Sequence, residues 1–347
     1  SELHRRAPSI AVSVCVTGQH RDMLANVLEL FGIEPSVNLD VMKDNQSLVD
    51  LTINLLAKLN SLLSNDRPDW VLVQGDTTSA MVGSLVAYYH GVRIGHIEAG
   101  LRTGDKYQPF PEEINRRNID VVADLYFAPT AYARDRLHKE GVESRNIVLT
   151  GNTVIDALKK IAAHPYDWQS GPLADLPSHH RLILVTAHRR ENFGEPLHEI
   201  CTALLELATS FPDVLMVFPI HPNPNVQSVV QKRLANVDNI LLTAPLNYSS
   251  MVHLLQRSYL VLSDSGGLQE EAPAFGVPVL VMRERTERME AIEAGTAQLV
   301  GTDAGRIVMA TTRLLENTNA YQNMARAVNP FGDGHASERI VKALMAY

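Results

Sequence analysis

The sequence contains few of the residues that mark several protein classes. Only two of its 347 residues are cysteine, and Cys15 and Cys201 lie far apart in apolar segments. A disulfide framework or thiolate metal site is therefore not expected, and a reducing cytoplasm is the expected compartment. No apolar run approaches the roughly 20 residues that a membrane-spanning helix needs. The net charge of −8 argues against a main surface that binds nucleic acid, which is normally basic.

Several motifs with known chemistry are also missing. The chain contains no Gly-x-x-x-x-Gly-Lys-Ser/Thr phosphate loop, no His-Glu-x-x-His, no Cys-x-x-Cys and no Asp-x-Asp metal pair, so we expect no metal site. Gly-x-Gly-x-x-Gly is absent too. That motif would follow the first strand of a dinucleotide-binding domain, and we expect the chain, which begins at Ser1 rather than Met, to start after such a strand. The absence of this motif is therefore weaker evidence against a dinucleotide-binding domain than the other absences are against their functions.

What is present predicts an α/β protein with two domains. Hydrophobic residues make up 45% and charged residues 20%, as in globular proteins, and short apolar runs alternate with amphipathic segments, which indicates parallel sheets. We predict an N-terminal Rossmann-like domain over 1–163, a second over 164–328 and a final helix over 329–347. Strands are predicted at 10–16, 70–74, 92–97, 125–128, 147–150, 182–186, 214–219, 240–243, 260–263, 277–282 and 297–300.

The stretch 259–282 reads as strand, turn, helix and strand, and its turn is suited to an anion. Ser265, Gly266 and Gly267 lead into a helix predicted over 267–275. The glycines allow close approach of a ligand to the backbone, and the free N–H groups of a helix start favour a phosphate. Glu271 is placed to accept hydrogen bonds from hydroxyl groups such as those of a ribose.

Carboxylates follow the strands of the first half, where ligands of open α/β sheets bind. Asp76 follows the strand at 70–74, and the alternative is that it or Thr77 caps the next helix. Glu98 follows the strand at 92–97 between glycines. Glu112 opens a helix four residues before Arg116, and an ordinary helical ion pair is the alternative reading.

The second half has basic residues at the corresponding places. His188 and Arg189 follow the strand at 182–186, where an anionic group would arrive. His221 also follows a strand, although the prolines around it could equally form a structural turn. An anion cradle in one domain and three carboxylates in the other suggest proton transfer on a group carried by a nucleotide.

Nine segments together resemble the bacterial non-hydrolysing UDP-N-acetylglucosamine 2-epimerases. They are VTGQHRDML, QGDTTSA, GHIEAGLRTGD, PFPEEINR, TGNTVIDAL, VTAHRRENFG, HPNPNV, SDSGGLQEEAPAFGVPVLVMRERTER and NPFGDGHASERI, and they span nearly the whole chain. The resemblance implies two doubly wound Rossmann-like domains facing a central cleft, which is the glycosyltransferase B class. It also implies interconversion of UDP-GlcNAc and UDP-ManNAc without NAD or metal, through elimination of UDP to a 2-acetamidoglucal and its re-addition.

The resemblance also assigns roles to individual residues. It implies that Asp76, Glu98 and Glu112 are the acid–base groups and that His188 contacts the leaving diphosphate. The other implied groups are the UDP contacts Ser265, Gly266, Gly267, Glu271, Arg189, Leu246 and Tyr248, the sugar-proximal Arg116 and Arg288, and a regulatory UDP-GlcNAc site of some members at Gln19, His20, Gln46 and His221. The resemblance also implies a homodimer.

The chain departs from the family pattern at its start. Family members begin with a strand and a Gly-Thr-Arg-Pro-Glu turn whose arginine reaches the diphosphate, and this chain starts roughly 20 residues too late to contain it, judged by motif register. Three other functions share parts of the pattern. They are a hydrolysing epimerase that releases ManNAc and UDP, a glycosyltransferase of the same fold, and a non-catalytic sensor of UDP-sugars.

Overall fold

The structure is a computed structural model that describes residues 2–6, 9–18, 21–43, 46–174, 176–177 and 180–347, with the backbone alone for 21–25. It divides into two compact units. Unit 1 comprises Ser1–Thr153 and Gly334–Tyr347, and unit 2 comprises Val154–Asp333. No helix in these described ranges combines the length and apolar character that crossing a membrane requires. Both cysteines are unpaired thiols, as predicted.

Unit 1 is an α/β unit with parallel strands. Its strands are β1 (Cys15–Val16), β2 (Val37–Asn38), β3 (Trp70–Gln74), β4 (Arg93–Ile97), β5 (Leu125–Ala128) and β6 (Ile147–Leu149), and its helices are α1 (Glu2–Arg5), α2 (Arg21–Leu30), α3 (Leu48–Asn65), α4 (Thr78–Tyr89), α5 (Glu112–Val122) and α6 (Ala131–Lys139). Strands β3 to β6 pair in chain order, and β1 pairs with β2. The apolar face of α3, with Leu51 and Leu55, packs with Val82 and Val86 of α4 in the core.

Unit 2 is a larger unit of the same class. It begins within α7 (Thr153–Ala162) and contains β7 (Arg181–Thr186), α8 (Glu195–Ser210), β8 (Val214–Pro219), α9 (Pro224–Leu234), β9 (Ile240–Thr243), α10 (Tyr248–Arg257), β10 (Leu260–Ser263), α11 (Gly266–Glu271), β11 (Val279–Val281), α12 (Met289–Glu293), β12 (Ala297–Leu299), α13 (Ala304–Glu316) and α14 (Thr318–Ala325). The six strands are parallel in the order β12-β11-β10-β7-β8-β9. All six residues of β8 are buried, as expected for a strand covered on both faces.

The final helix, α15 (Ala336–Ala346), belongs to unit 1. Ile340 packs with Leu125 and Phe127 of β5, and Arg339 donates a 2.9 Å hydrogen bond from Nη1 to the carbonyl of Thr150. The last residues of the chain therefore complete the core next to the strands that carry the candidate carboxylates.

The predicted fold class is confirmed, and the differences from the predicted elements have local causes. The helix predicted over 267–275 is α11 followed by a 3₁₀ turn, Ala272–Phe275. Pro273 lacks the N–H that would continue the α-helical ladder, and Gly276 then leaves the helix with φ of 68°. The strand predicted over 277–282 is shorter, since Pro278 cannot donate to a neighbouring strand. Of the strand predicted over 10–16, only β1 forms.

The strand register brings specific residues of each unit together. Gln74 at the end of β3 pairs with Ile97 at the end of β4, so the turns that follow these strands lie side by side. In unit 2, Ser263 at the end of β10 pairs with Thr186 at the end of β7. Each unit therefore presents two adjacent turns at the carboxyl edge of its sheet, where α/β proteins bind their ligands.

Candidate active site

Asp76 lies in the turn between β3 and α4. The N-cap of α4 is Thr77, whose hydroxyl accepts a 3.1 Å hydrogen bond from the backbone N–H of Ala80. Thr77 rather than Asp76 therefore caps this helix. The Asp76 carboxylate instead forms an ion pair with Arg116 of α5. Asn115 donates from Nδ2 to the Asp76 carbonyl at 2.9 Å. Helix α5 thus fixes both the backbone and the side chain of Asp76.

Glu98 follows β4 in a backbone conformation that is unusual for its residue type. Its φ is 69°, in the left-handed region that costs a non-glycine residue roughly 1–2 kcal/mol. The backbone N–H of Glu98 donates to the carbonyl of Phe127 at 3.1 Å. A Cβ atom built on Gly75 would lie 3.6 Å from Glu98 Oε2, so this carboxylate points toward the turn that holds Asp76. Strain of this kind is concentrated at functional sites.

Glu112 and Glu113 begin helix α5 and have different surroundings. Glu112 is half-buried, whereas Glu113 is fully buried and accepts hydrogen bonds from the N–H groups of Thr103 at 3.0 Å and Gly104 at 3.3 Å. Burial alone would raise the pKa of Glu113, but these donors and the arginines nearby hold it below its usual value. Arg116 pairs with Glu113 at 3.4 Å in addition to Asp76. The alternative reading, a helical ion pair of Glu112 with Arg116, is not among the ion pairs of Arg116 in the described residues.

In unit 2, Asp264 organises the turn that follows β7. This carboxylate is fully buried, and its Oδ2 accepts hydrogen bonds from the N–H groups of His188 and Arg189, both at 2.8 Å, and from Nδ2 of Asn192 at 3.0 Å. Its Oδ1 lies 3.2 Å from Nδ1 of His188. One side chain thus holds the backbone of His188 and lies beside Nδ1 of its imidazole, so that Nε2 is the ring nitrogen farther from Asp264.

The imidazole of His188 lies against a second imidazole. His221 stacks on it with the ring centroids 5.6 Å apart and the ring planes inclined by 15°. Burial lowers the pKa of His188, and the nearby Arg189 and His221 lower it further, while Asp264 acts in the opposite direction. The net shift is downward, so the neutral imidazole is favoured near pH 7. The structural alternative for His221 is supported as well, since its Nδ1 accepts a 3.1 Å hydrogen bond from the N–H of Asn223 in the proline-containing turn.

The predicted phosphate turn begins α11, with Ser265 at the N-cap position. A Cβ atom on Gly266 would lie 2.8 Å from Glu287 Oε1, and one on Gly267 would lie 3.5 Å from Glu271 Oε1. The atom met at position 266 is the far end of the Glu287 side chain, so a larger residue there would displace this carboxylate from the turn.

Glu287 is surrounded by arginine side chains beside this turn. Its carboxylate lies 2.9 Å from Arg283, 3.4 Å from Arg288 and 3.6 Å from Arg189. Although burial opposes it, the charges of Arg288 and Arg283 hold the pKa of Glu287 below its usual range. Three cations gathered around one carboxylate can also coordinate the oxygens of a phosphate.

The predicted ribose and uracil contacts lie close together. Burial, reinforced by the charge of Glu270, raises the pKa of Glu271 to about 7, and Glu270 itself pairs with Arg288 at 2.7 Å. Leu246 is half-buried in the loop before α10, and Tyr248 is the first residue of that helix. Burial and the nearby Glu271 raise the pKa of Tyr248. Its hydroxyl has no hydrogen-bond partner within the described ranges, which suits it to a ligand atom.

The four residues predicted for a regulatory site are not equally visible. Gln19 and His20 lie outside the described residues. Gln46 accepts a 3.2 Å hydrogen bond from the N–H of Lys43 through Oε1, and His221 stacks on His188. The structure therefore connects one predicted regulatory residue, His221, directly to a predicted catalytic residue.

Five further residues shape these turns and were not predicted from the sequence. They are His96, Glu113 and Asp120 in unit 1 and Asp264 and Glu287 in unit 2. Asp264 follows a strand, so the rule that selected Asp76 and Glu98 would have found it. Glu287 lies in a charged run, 283–288, that reads as solvated surface. His96 is a fully buried polar residue within β4, a position that alternation in a buried strand does not distinguish.

Several known proteins similar to the chain carry the same name. A family model described as UDP-N-acetylglucosamine 2-epimerase matches residues 2–345. The UDP-N-acetylglucosamine 2-epimerase of Yersinia pestis is 48% identical over 337 residues, which cover 95% of this chain and 90% of that protein. The Bacillus subtilis enzyme of the same name is 46% identical over 341 residues, covering 98% and 89%. A crystal structure of UDP-GlcNAc 2-epimerase from Neisseria meningitidis bound to UDP-GlcNAc has a TM-score of 0.89 at 44% identity, covering 100% of this chain and 94% of that one.

The raised pKa of Glu271 predicts a pH-dependent stability. In the folded protein this carboxyl titrates at about 7, against 4.5 for the ordinary group, so its ionisation destabilises the fold progressively as the pH rises from 4.5 through 7. We expect Glu271→Gln to gain about 2 kcal/mol over the wild type between pH 5 and pH 8, since one pKa unit corresponds to about 1.4 kcal/mol. Thermal unfolding of both proteins without ligand measures this gain. A difference in Tm that does not change with pH would contradict the prediction.

Proposed function

The chain belongs to the UDP-N-acetylglucosamine 2-epimerase family, and we propose that it interconverts UDP-N-acetylglucosamine and UDP-N-acetylmannosamine at carbon 2 without releasing free sugar. The observation that carries the proposal is the pair of carboxylates, Asp76 and Glu98, on adjacent strand exits, with Arg116 bound to one of them. The product would supply N-acetylmannosamine for cell-surface polysaccharide synthesis. The Neisseria meningitidis relative bound to UDP-GlcNAc supports this choice of substrate.

Unit 2 is proposed to bind the UDP. The diphosphate would lie at Ser265 and the two glycines that follow, where His188 and Arg189 are held in place by Asp264. Its charge would take the place of the Glu287 carboxylate among the surrounding arginines, of which Arg288 would then also reach the sugar. Glu271 would hydrogen-bond the ribose, and Leu246 and the unpartnered hydroxyl of Tyr248 would contact the uracil. A neutral His188 can accept a hydrogen bond or a proton through Nε2.

Unit 1 is proposed to move the proton. The hydrogen on carbon 2 is not acidic by itself, so its removal must accompany departure of the diphosphate, which yields UDP and a 2-acetamidoglucal. Re-addition of UDP with a proton delivered to the opposite face completes the epimerisation. A reaction of this kind needs acid–base groups on both faces of the sugar ring. Asp76, Glu98 and Glu112 are the candidates, and Arg116 would orient Asp76.

We also propose a second, regulatory UDP-GlcNAc that contacts His221 and Gln46, together with Gln19 and His20. The stacking of His221 on His188 gives such a ligand a direct route to the group that contacts the diphosphate. We also propose a cytoplasmic location, since the proposed substrate is a nucleotide sugar.

A homodimer is proposed through helices α3 and α4, which pack against each other in unit 1. Val49 and Ile53 lie one turn apart on α3 with 67% and 58% of their surfaces exposed, and Tyr88 and Tyr89 at the end of α4 are exposed to 58% and 70%. Large apolar side chains grouped on one pair of helices are typical of a protein–protein interface.

The proposed reaction is tested by proton NMR of the full-length protein with UDP-GlcNAc in heavy water. We expect UDP-ManNAc deuterated at carbon 2, both nucleotide sugars at equilibrium, and only traces of UDP. Accumulation of UDP with free ManNAc would show a hydrolysing enzyme instead. Release of UDP that depends on an added acceptor would indicate a glycosyltransferase, and binding without exchange would indicate a sensor.

The roles of the carboxylates predict a separation of binding from chemistry. Asp76→Asn and Glu98→Gln should each lower the rate of carbon-2 exchange at least 100-fold, a typical contribution of general acid–base catalysis, and leave the Kd for UDP within about twofold. Asp135→Asn, which alters an exposed ion pair on α6, is the matched control and should exchange at the wild-type rate. Near-normal exchange in both site variants would remove these residues from the acid–base role.

The proposed dimer interface predicts the effect of a buried charge. Ile53→Asp should convert the protein from dimer to monomer in light-scattering chromatography, because burying an unpaired carboxylate is costly. Met309→Asp is the control, since Met309 is 69% exposed on α13 of unit 2 and should leave the dimer intact. A dimer that survives both Ile53→Asp and Val49→Asp would place the interface elsewhere.

A further inference from the structure

His96 is a fully buried histidine that lies within the strand leading to Glu98. Both of its ring nitrogens face acceptors in unit 1. Nδ1 lies 2.6 Å from Oδ1 of Asp120, and Nε2 lies 2.8 Å from the carbonyl oxygen of Gly75. A carbonyl oxygen can only accept, so Nε2 carries a proton and donates it to Gly75.

Asp120 is held as a carboxylate by several donors. Its Oδ2 accepts a 2.6 Å hydrogen bond from Arg102 and a 3.4 Å one from the N–H of Gly100. Although burial opposes it, the hydrogen bonds and charges of His96 and Arg102 hold the pKa of Asp120 below its usual value. Arg102 is in turn bound by Glu140 through two hydrogen bonds of 2.6 and 2.8 Å. Nδ1 of His96 therefore faces a carboxylate that Arg102 and Gly100 also bind.

Glu140, Arg102, Asp120 and His96 form a connected series of hydrogen bonds. It ends at the backbone that carries the candidate acid–base groups. The Gly75 carbonyl is the peptide oxygen directly before Asp76, and His96 itself is two residues before Glu98. Further contacts on the Asp76 turn come from Asn115 and Arg116 of α5, the helix that also carries Asp120, and from the N–H of Gly75, which donates to the carbonyl of Ile97 at 3.0 Å. Helix α5 and the imidazole of His96 therefore hold the turn that carries Asp76 from two directions.

We infer that His96 is a positioning residue for the proposed reaction: by bridging Asp120 and the Gly75 carbonyl, it sets the place of the Asp76 turn relative to Glu98. The inference rests on the proposed function and adds a residue to it. Any buried histidine needs partners for its ring nitrogens, but an apolar side chain of similar size would fill this part of the core without the cost of burying polar groups.

The two hydrogen bonds of His96 can be removed separately. An asparagine side chain reaches about as far as Nδ1, so His96→Asn can keep the contact with Asp120 and loses the one with Gly75. A glutamine reaches about as far as Nε2, so His96→Gln can keep the contact with Gly75 and loses the one with Asp120. We expect His96→Asn to lower kcat for carbon-2 exchange by about 10- to 100-fold, as a displacement of about 1 Å in a catalytic group does, and His96→Gln to lower it less. The Kd for UDP should stay within about twofold in both.

A control for stability separates positioning from general loss of folding. Ile94 lies on the same strand two residues earlier and is equally buried, and Ile94→Val or Ile94→Ala provides a protein with the same loss of Tm as His96→Asn. Equal kcat in His96→Asn and its matched Ile94 variant would overturn the inference. If His96→Asn does not fold, Asp120→Asn tests the inference instead. We expect this variant to lower kcat at unchanged UDP affinity, and an unchanged kcat would overturn the inference.

A structural readout keeps the inference independent of turnover. In a crystal structure of His96→Asn, or of Asp120→Asn if the first does not fold, the Gly75–Asp76 turn should move relative to Glu98, while the same turn stays in place in the matched Ile94 variant. A turn that does not move would overturn the inference even if the wild type were inactive. Lack of carbon-2 exchange in the wild type, by contrast, would refute the proposed reaction and leave the positioning test to be read from the structure.

Discussion

A fully buried carboxylate fixes the functional turn in each unit, and the rest of the site depends on these two side chains. Asp120 holds His96 and Arg102 in unit 1, and Asp264 holds the backbone N–H groups of His188 and Arg189 in unit 2. An ionised carboxylate is stable in the interior only when its oxygens accept several hydrogen bonds. The geometry around each one is therefore strongly constrained, and a turn bound to it has little freedom to move.

The positive charges beside the predicted phosphate turn at 265–267 already have a carboxylate partner, Glu287, before any ligand binds. Glu287 lies among Arg189, Arg283 and Arg288, and its charge offsets part of the mutual repulsion of these cations. A diphosphate carries more negative charge than one carboxylate, and its oxygens can be bound by several guanidinium groups at once. In the proposed complex the diphosphate would replace Glu287 among arginines that are already close together. Preorganisation of this kind lowers the cost of binding an anion.

The sequence was sufficient for the fold class and for most residues at the strand ends, because both follow from periodicity and from the rule that ligands bind at the carboxyl edge of parallel strands. It was insufficient for contacts made across the fold. Spacing on α5 suggested that Arg116 pairs with Glu112, yet the partners are Asp76 and Glu113, and only the tertiary structure brings residue 76 to this helix. His96 and Glu113 were missed for the same reason, since burial of a polar side chain has no periodic signature.

The strained backbone of Glu98 lies beside a turn that several side chains of unit 1 hold in place. A non-glycine residue with φ of 69° relaxes unless the surrounding structure holds it, and the neighbouring Gly75–Asp76 turn is held by His96, Asn115 and Arg116. In the proposed reaction one carboxylate removes a proton and another returns it to the opposite face, so the separation of the two groups sets which hydrogens they can reach. A rigid scaffold of buried charges can maintain that separation while the bond to UDP breaks and forms again, whereas a flexible loop would lose the stereochemical distinction on which epimerisation depends.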